Sequence, residues 1–243
     1  MKVSNPFAAA GTEKTLRRLV SCRACPRLVG WRERQAELVP PRFREWAARH
    51  GFWGRPVPAF GNRDAWLVIV GLAPAAQGAN RTGRMFTGDR SGEFLYAALH
   101  RSGLASAPHS DHRDDGLELS GVLITAPVRC APPHNRPTAA EAARCRAYLR
   151  ADLAGCRSLR VVLALGRLAH DSVLRLLREQ GASLPDGIRF GHGAFWRLLE
   201  GVFLVDSYHV SQQNTFTGRL TPGMFDTVLA RCRALAAGSE EER

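Results

Sequence analysis

Residues 70–92 read VGLAPAAQGANRTGRMFTGDRSG and continue from the apolar run WLVIV. A glycine-studded loop directly after a strand is the arrangement that cradles phosphates, and the Gly78 to Gly83 spacing matches the start of a Walker loop. That loop needs Lys and then Ser or Thr, whereas Arg84 and Met85 follow here. A nucleotide-binding enzyme is therefore a poor reading, and the chemistry left in the segment is one carboxylate, Asp89, and one aromatic ring, Phe86. A carboxylate just before a helix can serve as a general base or simply cap that helix. A second reactive group, His209, stands in SYHVSQQNTFTGRLT, at the end of another apolar run. An imidazole there can donate a hydrogen bond to negative charge as it develops. Thiols form the third group. Cys22 and Cys25 make a C-x2-C pair, CRAC, and Cys130 and Cys145 are separated by fourteen residues. Four thiolates from two such places can close around a zinc ion or an iron–sulfur cluster. Cys156 and Cys232 have no partner at ligand spacing and read as buried apolar cysteines.

These groups need elements to position them. Four short, nearly continuous apolar runs at 66–71, 121–125, 160–166 and 202–208 read as parallel strands covered on both faces. Helical patterns alternate with them at 91–103, 138–155, 168–180 and 222–235, and Thr138 with Glu141 forms a capping box. The alternation predicts an α/β sandwich around a parallel sheet. Residues 1–65 differ. They hold three of the five tryptophans, helical patterns at 15–21 and about 42–50, and no convincing strand. They read as an N-terminal extension packed on an α/β domain at 66–237, with 238–243 as a solvated tail. The polar stretch 106–120 reads as a surface loop.

The formal charge is +12 and the sequence pI about 10.6, which would draw polyanions such as nucleic acid. Lys2 and Lys14 are the only lysines, so arginine carries that charge, a usage that a GC-rich genome also produces. No run approaches the ~18 apolar residues of a membrane span, and the N-terminus lacks the apolar core of a secretory signal. A cytoplasmic monomer is expected. In that compartment six cysteines do not suggest a disulfide framework, which strengthens the metal reading.

Taken together, GLAPAAQGANRTGRMFTGD, VRCAPPHNRPT with the later Cys145, and SYHVSQQNTFTGRLT resemble the family 5 uracil-DNA glycosylases of bacteria and archaea. These share a superfamily with the family 4, iron–sulfur uracil glycosylases. The resemblance runs in register from Leu19 to Leu235. It implies a three-layer α/β/α sandwich with a central four-stranded parallel sheet, a DNA groove across the carboxyl ends of the strands, and a structural [4Fe-4S] cluster held by Cys22, Cys25, Cys130 and Cys145. It further implies that Asp89 orients water and steadies positive charge on the sugar, while His209 hydrogen-bonds O2 of the departing base. Phe86 would stack on the base, and Gly71, Leu72 and Ala73 would let backbone N–H groups approach its edge. Asn135 matches a polar residue near the active site. Ser211, Gln213, Asn214 and Arg219 would belong to the loop that enters double-stranded DNA, with Gln213 or a neighbour filling the vacated stack.

Family 4 relatives carry Asn four residues before Cys130, where this chain has Ala126, the family 5 pattern. An apolar wall discriminates weakly, so the resemblance implies release of hypoxanthine, xanthine and ethenocytosine besides uracil. With no lysine placed for a Schiff base, a monofunctional glycosylase that initiates base excision repair is expected. The chain departs from many relatives at Gln77 (often His), Val210 (often Pro) and Gln212 (often Arg). The rival reading is a non-catalytic, iron–sulfur or zinc nucleic-acid-binding protein, which would share the charge and the cysteines.

Overall fold

In chain order the computed structural model, which describes residues 12–199 and 201–238, has helices α1 (Thr12–Arg17), α2 (Pro26–Arg34) and α3 (Pro41–His50), strands β1 (Phe60–Gly61) and β2 (Leu67–Val70), and helices α4 (Ala79–Thr82) and α5 (Arg90–Arg101). Then come β3 (Val122–Thr125), a 3-10 turn (Pro133–Asn135), α6 (Ala139–Gly155), β4 (Val161–Leu165) and α7 (Arg167–Glu179). The chain finishes with β5 (Phe195–Leu199), β6 (Val202–Ser207), α8 (Gln212–Phe216) and α9 (Pro222–Ala237).

The apolar runs make β2, β3, β4 and β6, and every residue of these four strands is buried. Such runs suit strands covered on both faces. They pair in parallel, in the order β3-β2-β4-β6, with Val68 beside Leu123 on one side and Val162 on the other. Side chains alternate across this sheet. Ile69, Ile124, Leu163 and Val205 pack under α5 and α9, against Leu95, Leu99, Phe225 and Leu229. Val68, Leu123, Val162 and Leu204 face α6 and α7, against Leu149, Leu153, Val173 and Leu177. The three layers are thus those expected.

The sheet is wider than the sequence suggested. β1 adds antiparallel to β3 and β5 antiparallel to β6, giving six strands with a four-stranded parallel centre. β1 has only two residues, and β5 (FWRLL) has partly exposed residues; neither shows the continuous burial that marks the other four. A strand therefore does occur before residue 65. The first helix ends at Arg17 rather than 21, and α2, which the sequence reading did not assign, begins directly after Cys25. The 106–120 loop is not wholly solvated, because Leu117 and Leu119 are buried and Asp115 grips the buried Arg84. Of the expected tail, Gly238 is a left-handed cap on α9, and the rest lies outside the described residues, as do residues 1–11. Among the described residues no helix is long and apolar enough to cross a membrane.

After β2 the chain moves to β3 on one side and then crosses back to β4 on the other, so the connections part between β2 and β4. The carboxyl ends of strands at such a switch point form a crevice. The end of β3 is fixed there by the buried Asp152 of α6, which accepts the Thr125 hydroxyl at 2.7 Å and pairs with the buried Arg129. Helix α6 itself starts on the expected capping box: Glu141 N–H donates to Thr138 Oγ1 at 3.2 Å, and Thr138 N–H to Glu141 Oε2 at 2.8 Å. Glu141 also binds Arg27 of α2 through both carboxylate oxygens, at 2.8 and 2.7 Å, so one side chain starts α6 and docks the N-terminal segment. Thr138→Ala is expected to lower the unfolding free energy by about 1 kcal/mol, with an unchanged denaturant slope in urea melts. Glu141→Ala, which also removes the ion pair with Arg27, should lower it further.

Candidate active site

Three loops leave the carboxyl ends of β2, β3 and β6 and enclose a cavity of about 550 Å³. The first contributes Leu72, Ala73, Phe86 and Asp89, the second Ala126 and Asn135, and the third His209, Ser211, Gln213 and Asn214. Residues more than a hundred positions apart, singled out by type and motif, thus face one space. Two singled-out residues are not on its wall. Gly71 lies behind Phe86, and Arg219 places its guanidinium 4.5 Å over the Tyr208 ring. The wall also includes Met85, His134 and Arg136, which the sequence reading did not name as site residues.

The glycines of the first loop make room for side chains. A methyl group on Gly71 would lie 2.7 Å from Phe86 Cζ, and one on Gly78 would lie 2.1 Å from Asp89 Oδ2. The Gly71 N–H donates to Thr125 O at 2.8 Å, so it holds β2 to β3 and is not offered to a ligand, contrary to the sequence expectation for that residue. Asp89 is the N-cap of α5, with Oδ1 accepting the Ser91 and Gly92 N–H groups at 2.9 and 3.1 Å. Its other oxygen packs against Gly78. Cap and cavity wall, the two alternative readings of this residue, are therefore both realised. Burial raises the Asp89 carboxyl above its ordinary value, opposed by the two backbone N–H groups and by Arg81.

Phe86 adopts φ +53°, a left-handed conformation that an aromatic residue rarely takes. Its turn is clamped on both sides. Tyr96 OH donates to Met85 O at 2.7 Å, and Arg84 donates to Ser110 Oγ at 2.9 Å and to Asp115 Oδ1 at 2.6 Å. Thr87 and Ser110 share a hydrogen bond of 2.7 Å. His134 and Asn135 also have positive φ, 53° and 55°, and among the described residues these three are the only non-glycine residues that do. All three line this cavity. Backbone strain of this kind, of order 1–3 kcal/mol per residue, concentrates at functional sites.

The His209 ring lies 6.1 Å from the Phe86 ring, tilted by 31°. Its carbonyl accepts the Asn214 side-chain amide at 2.7 Å, which closes the β6 loop on itself. Burial lowers the imidazole to about 4, so it is neutral at neutral pH and can donate one N–H without carrying charge. Gln77 does not reach the cavity: its amide donates to Gln35 O at 3.2 Å.

The four paired cysteines meet elsewhere. Cys22, Cys25, Cys130 and Cys145 line one small, largely apolar cavity together with Arg32, Arg129 and Arg144, and all four are free thiols. Arg32, itself buried, donates from Nη1 to Cys130 Sγ at 2.8 Å. Burial raises the Cys25 and Cys130 thiols and pushes Cys145 up to about 12. Among the described residues no three His, Cys, Asp or Glu side chains are arranged to hold a metal ion. The donor set nonetheless suits a thiolate-bound anionic group, since four sulfurs with guanidinium groups among them face one space. Cys156 and Cys232 are buried apart from it, in the two faces of the core, as expected.

Residues 58–233 match the family model of the Uracil DNA glycosylase superfamily. A type-5 uracil-DNA glycosylase of Mycobacterium tuberculosis is 51% identical over 229 residues, covering 93% of this chain and 83% of that protein. The chain belongs to the uracil-DNA glycosylase superfamily, in its type-5 branch. A second type-5 uracil-DNA glycosylase, from Thermus thermophilus, is 48% identical over 225 residues, 92% of this chain and 98% of that protein. A type-4 uracil-DNA glycosylase of Pyrobaculum aerophilum is more distant, 32% identical over 138 residues, 56% of this chain and 62% of its own.

The partly buried imidazole gives a testable pH dependence. Its folded value of about 4 lies below the ordinary 6.5, so the unfolded chain binds more protons between the two. The stability contribution is complete above pH 6.5 and is lost as pH falls through about 4. His209→Asn should flatten the unfolding free energy in that window, measured by urea melts at stepped pH.

Proposed function

We propose that this chain is a monofunctional DNA glycosylase, a hydrolase of N-glycosyl bonds that removes uracil from double-stranded DNA and so initiates base excision repair. The supporting observation is the single cavity that gathers Asp89, Phe86 and a neutral His209, with three left-handed residues in its wall. A base must leave its helix to reach this space, at a few kcal/mol, least at a mismatch such as U·G. Phe86 stacks on its face, an interaction of ~1–3 kcal/mol. As the glycosidic bond breaks, its electrons go to the base, and His209 donates an N–H to the O2 on which negative charge grows. Because the imidazole is neutral, it stabilises that charge without protonating the base. Asp89, ionised, faces the positive charge on the sugar and orients the water that attacks it. Among the described residues no lysine lies in the cavity wall to form a Schiff base.

Ala126 gives the base edge an apolar wall, and a cavity of about 550 Å³ leaves room for a purine. The substrates then extend to hypoxanthine, xanthine and ethenocytosine. Ser211, Gln213, Asn214 and Arg219 contact the DNA strand, and Gln213 or the neighbouring Phe216, 69% exposed, fills the gap left by the base. A [4Fe-4S] cluster held by Cys22, Cys25, Cys130 and Cys145 would cross-link α6 and the β3 loop to the N-terminal extension, residues 1–65, and takes no part in hydrolysis. We take the protein to act as a cytoplasmic monomer.

Asp89→Asn should slow single-turnover release of uracil from a U·G duplex by about 10²–10⁴-fold while leaving duplex affinity within a few-fold. Unchanged release would overturn the role given to Asp89, and no release by the unsubstituted protein would leave the non-catalytic reading standing. The raised Asp89 carboxyl also predicts that activity falls on the acid side at a pH above the ordinary carboxylate value of 3.8. On hypoxanthine and xanthine duplexes the protein should release both bases; activity confined to uracil would sink the role given to Ala126. Protein purified without air should contain iron and acid-labile sulfide in equal amounts, and Cys145→Ser should lose both.

A further inference from the structure

A second cleft, of about 330 Å³, lies on the far side of α4 from the base cavity. Its wall is aromatic. Trp46 and His50 rings lie 4.8 Å apart, His50 stacks on His112 at 4.5 Å and 22°, and Trp53 closes another side. Its charge is positive. Arg113 and Arg55 lie 5.1 and 6.0 Å over the Trp53 ring, and Arg81 sits 4.1 Å over Trp46. The one carboxylate in the wall, Asp114, is already paired with Arg113 at 3.2 Å. Arg81 is only 2% exposed, and its buried Nη1 makes no hydrogen bond. Its guanidinium also lies 4.2 Å over the Phe43 ring, so what Arg81 offers the cleft is positive charge rather than a hydrogen bond.

The volume lies in the range of small-ligand sites. Aromatic platforms interleaved with arginines are the means by which proteins hold one nucleotide, the ring by stacking and the phosphate by charge. We propose that this cleft is a second nucleotide site, taking one unpaired base with its phosphate. The occupant is either a unit of a DNA strand or a free mononucleotide. Arg81 links the two sites: its Nη2 donates to Gly88 O at 3.2 Å, in the turn that carries Asp89. The proposal stands on this cleft alone and does not depend on the glycosylase reading.

Calorimetric titration of the full chain with deoxyadenosine 5′-monophosphate, and with single-stranded oligodeoxyadenylate, tests it; adenine is not a deaminated base. Arg113→Glu and Arg55→Glu are both exposed and lie outside the base cavity, so the variants should fold. Saturable binding of either probe, weakened roughly tenfold by at least one substitution, supports the site. Tighter binding of the strand than of the mononucleotide assigns it to DNA, and equal binding assigns it to a free nucleotide. Binding of neither probe, or binding indifferent to both substitutions, overturns it, whatever the result of the uracil-release assay.

Discussion

Between β2 and α5 the backbone turns so tightly that four glycines have no space for a side chain, and two of them frame the cavity. Gly71 lies against the Phe86 ring and Gly78 against the Asp89 carboxylate. These two close approaches set where an aromatic face and a carboxylate oxygen stand relative to β2. The surrounding structure enforces them. Arg84, Tyr96 and Thr87 hold the left-handed Phe86 turn by hydrogen bonds, and the start of α5 holds Asp89 through its cap. A loop that looks like a phosphate cradle is instead a frame for two side chains. Its glycines are there for proximity, not for N–H groups that grip an anion.

Opposite that frame stands His209, carried by β6, and burial gives the two groups complementary character. The same desolvation raises the Asp89 carboxyl and lowers the imidazole. A histidine that stays neutral can donate to a growing negative charge, while an ionised carboxylate faces the growing positive one. Bond cleavage that separates charge between a sugar and a base needs this pairing. The net charge of the chain, +12, would attract a polyanion at longer range.

The parallel centre of the sheet was legible because complete burial leaves an unbroken apolar signature, as in LVIV and VVLAL. The edge strands were not. β1 is held by only two residues of pairing, and β5 exposes Arg197, so neither carries that signature. Asp89 and His209 could be picked from their motifs, yet their meeting depends on crossovers that no spacing reveals. The burial of Arg81 and Arg84 was hidden for a plainer reason: charge predicts exposure, and both are buried because aromatic rings and carbonyls surround them. His134 left no trace, since a positive φ at a non-glycine residue has no compositional sign.

The central claim is that one base, turned out of its helix, occupies the space between Phe86 and His209. A crystal structure with a duplex carrying 2′-fluorodeoxyuridine, whose glycosidic bond resists cleavage, tests it most directly. The account predicts the uracil ring stacked on Phe86, its O2 within hydrogen-bonding distance of His209, and the Asp89 carboxylate below the sugar. A uracil that remains stacked in its duplex, or that lodges beyond α4 among Trp46 and His112, would contradict it.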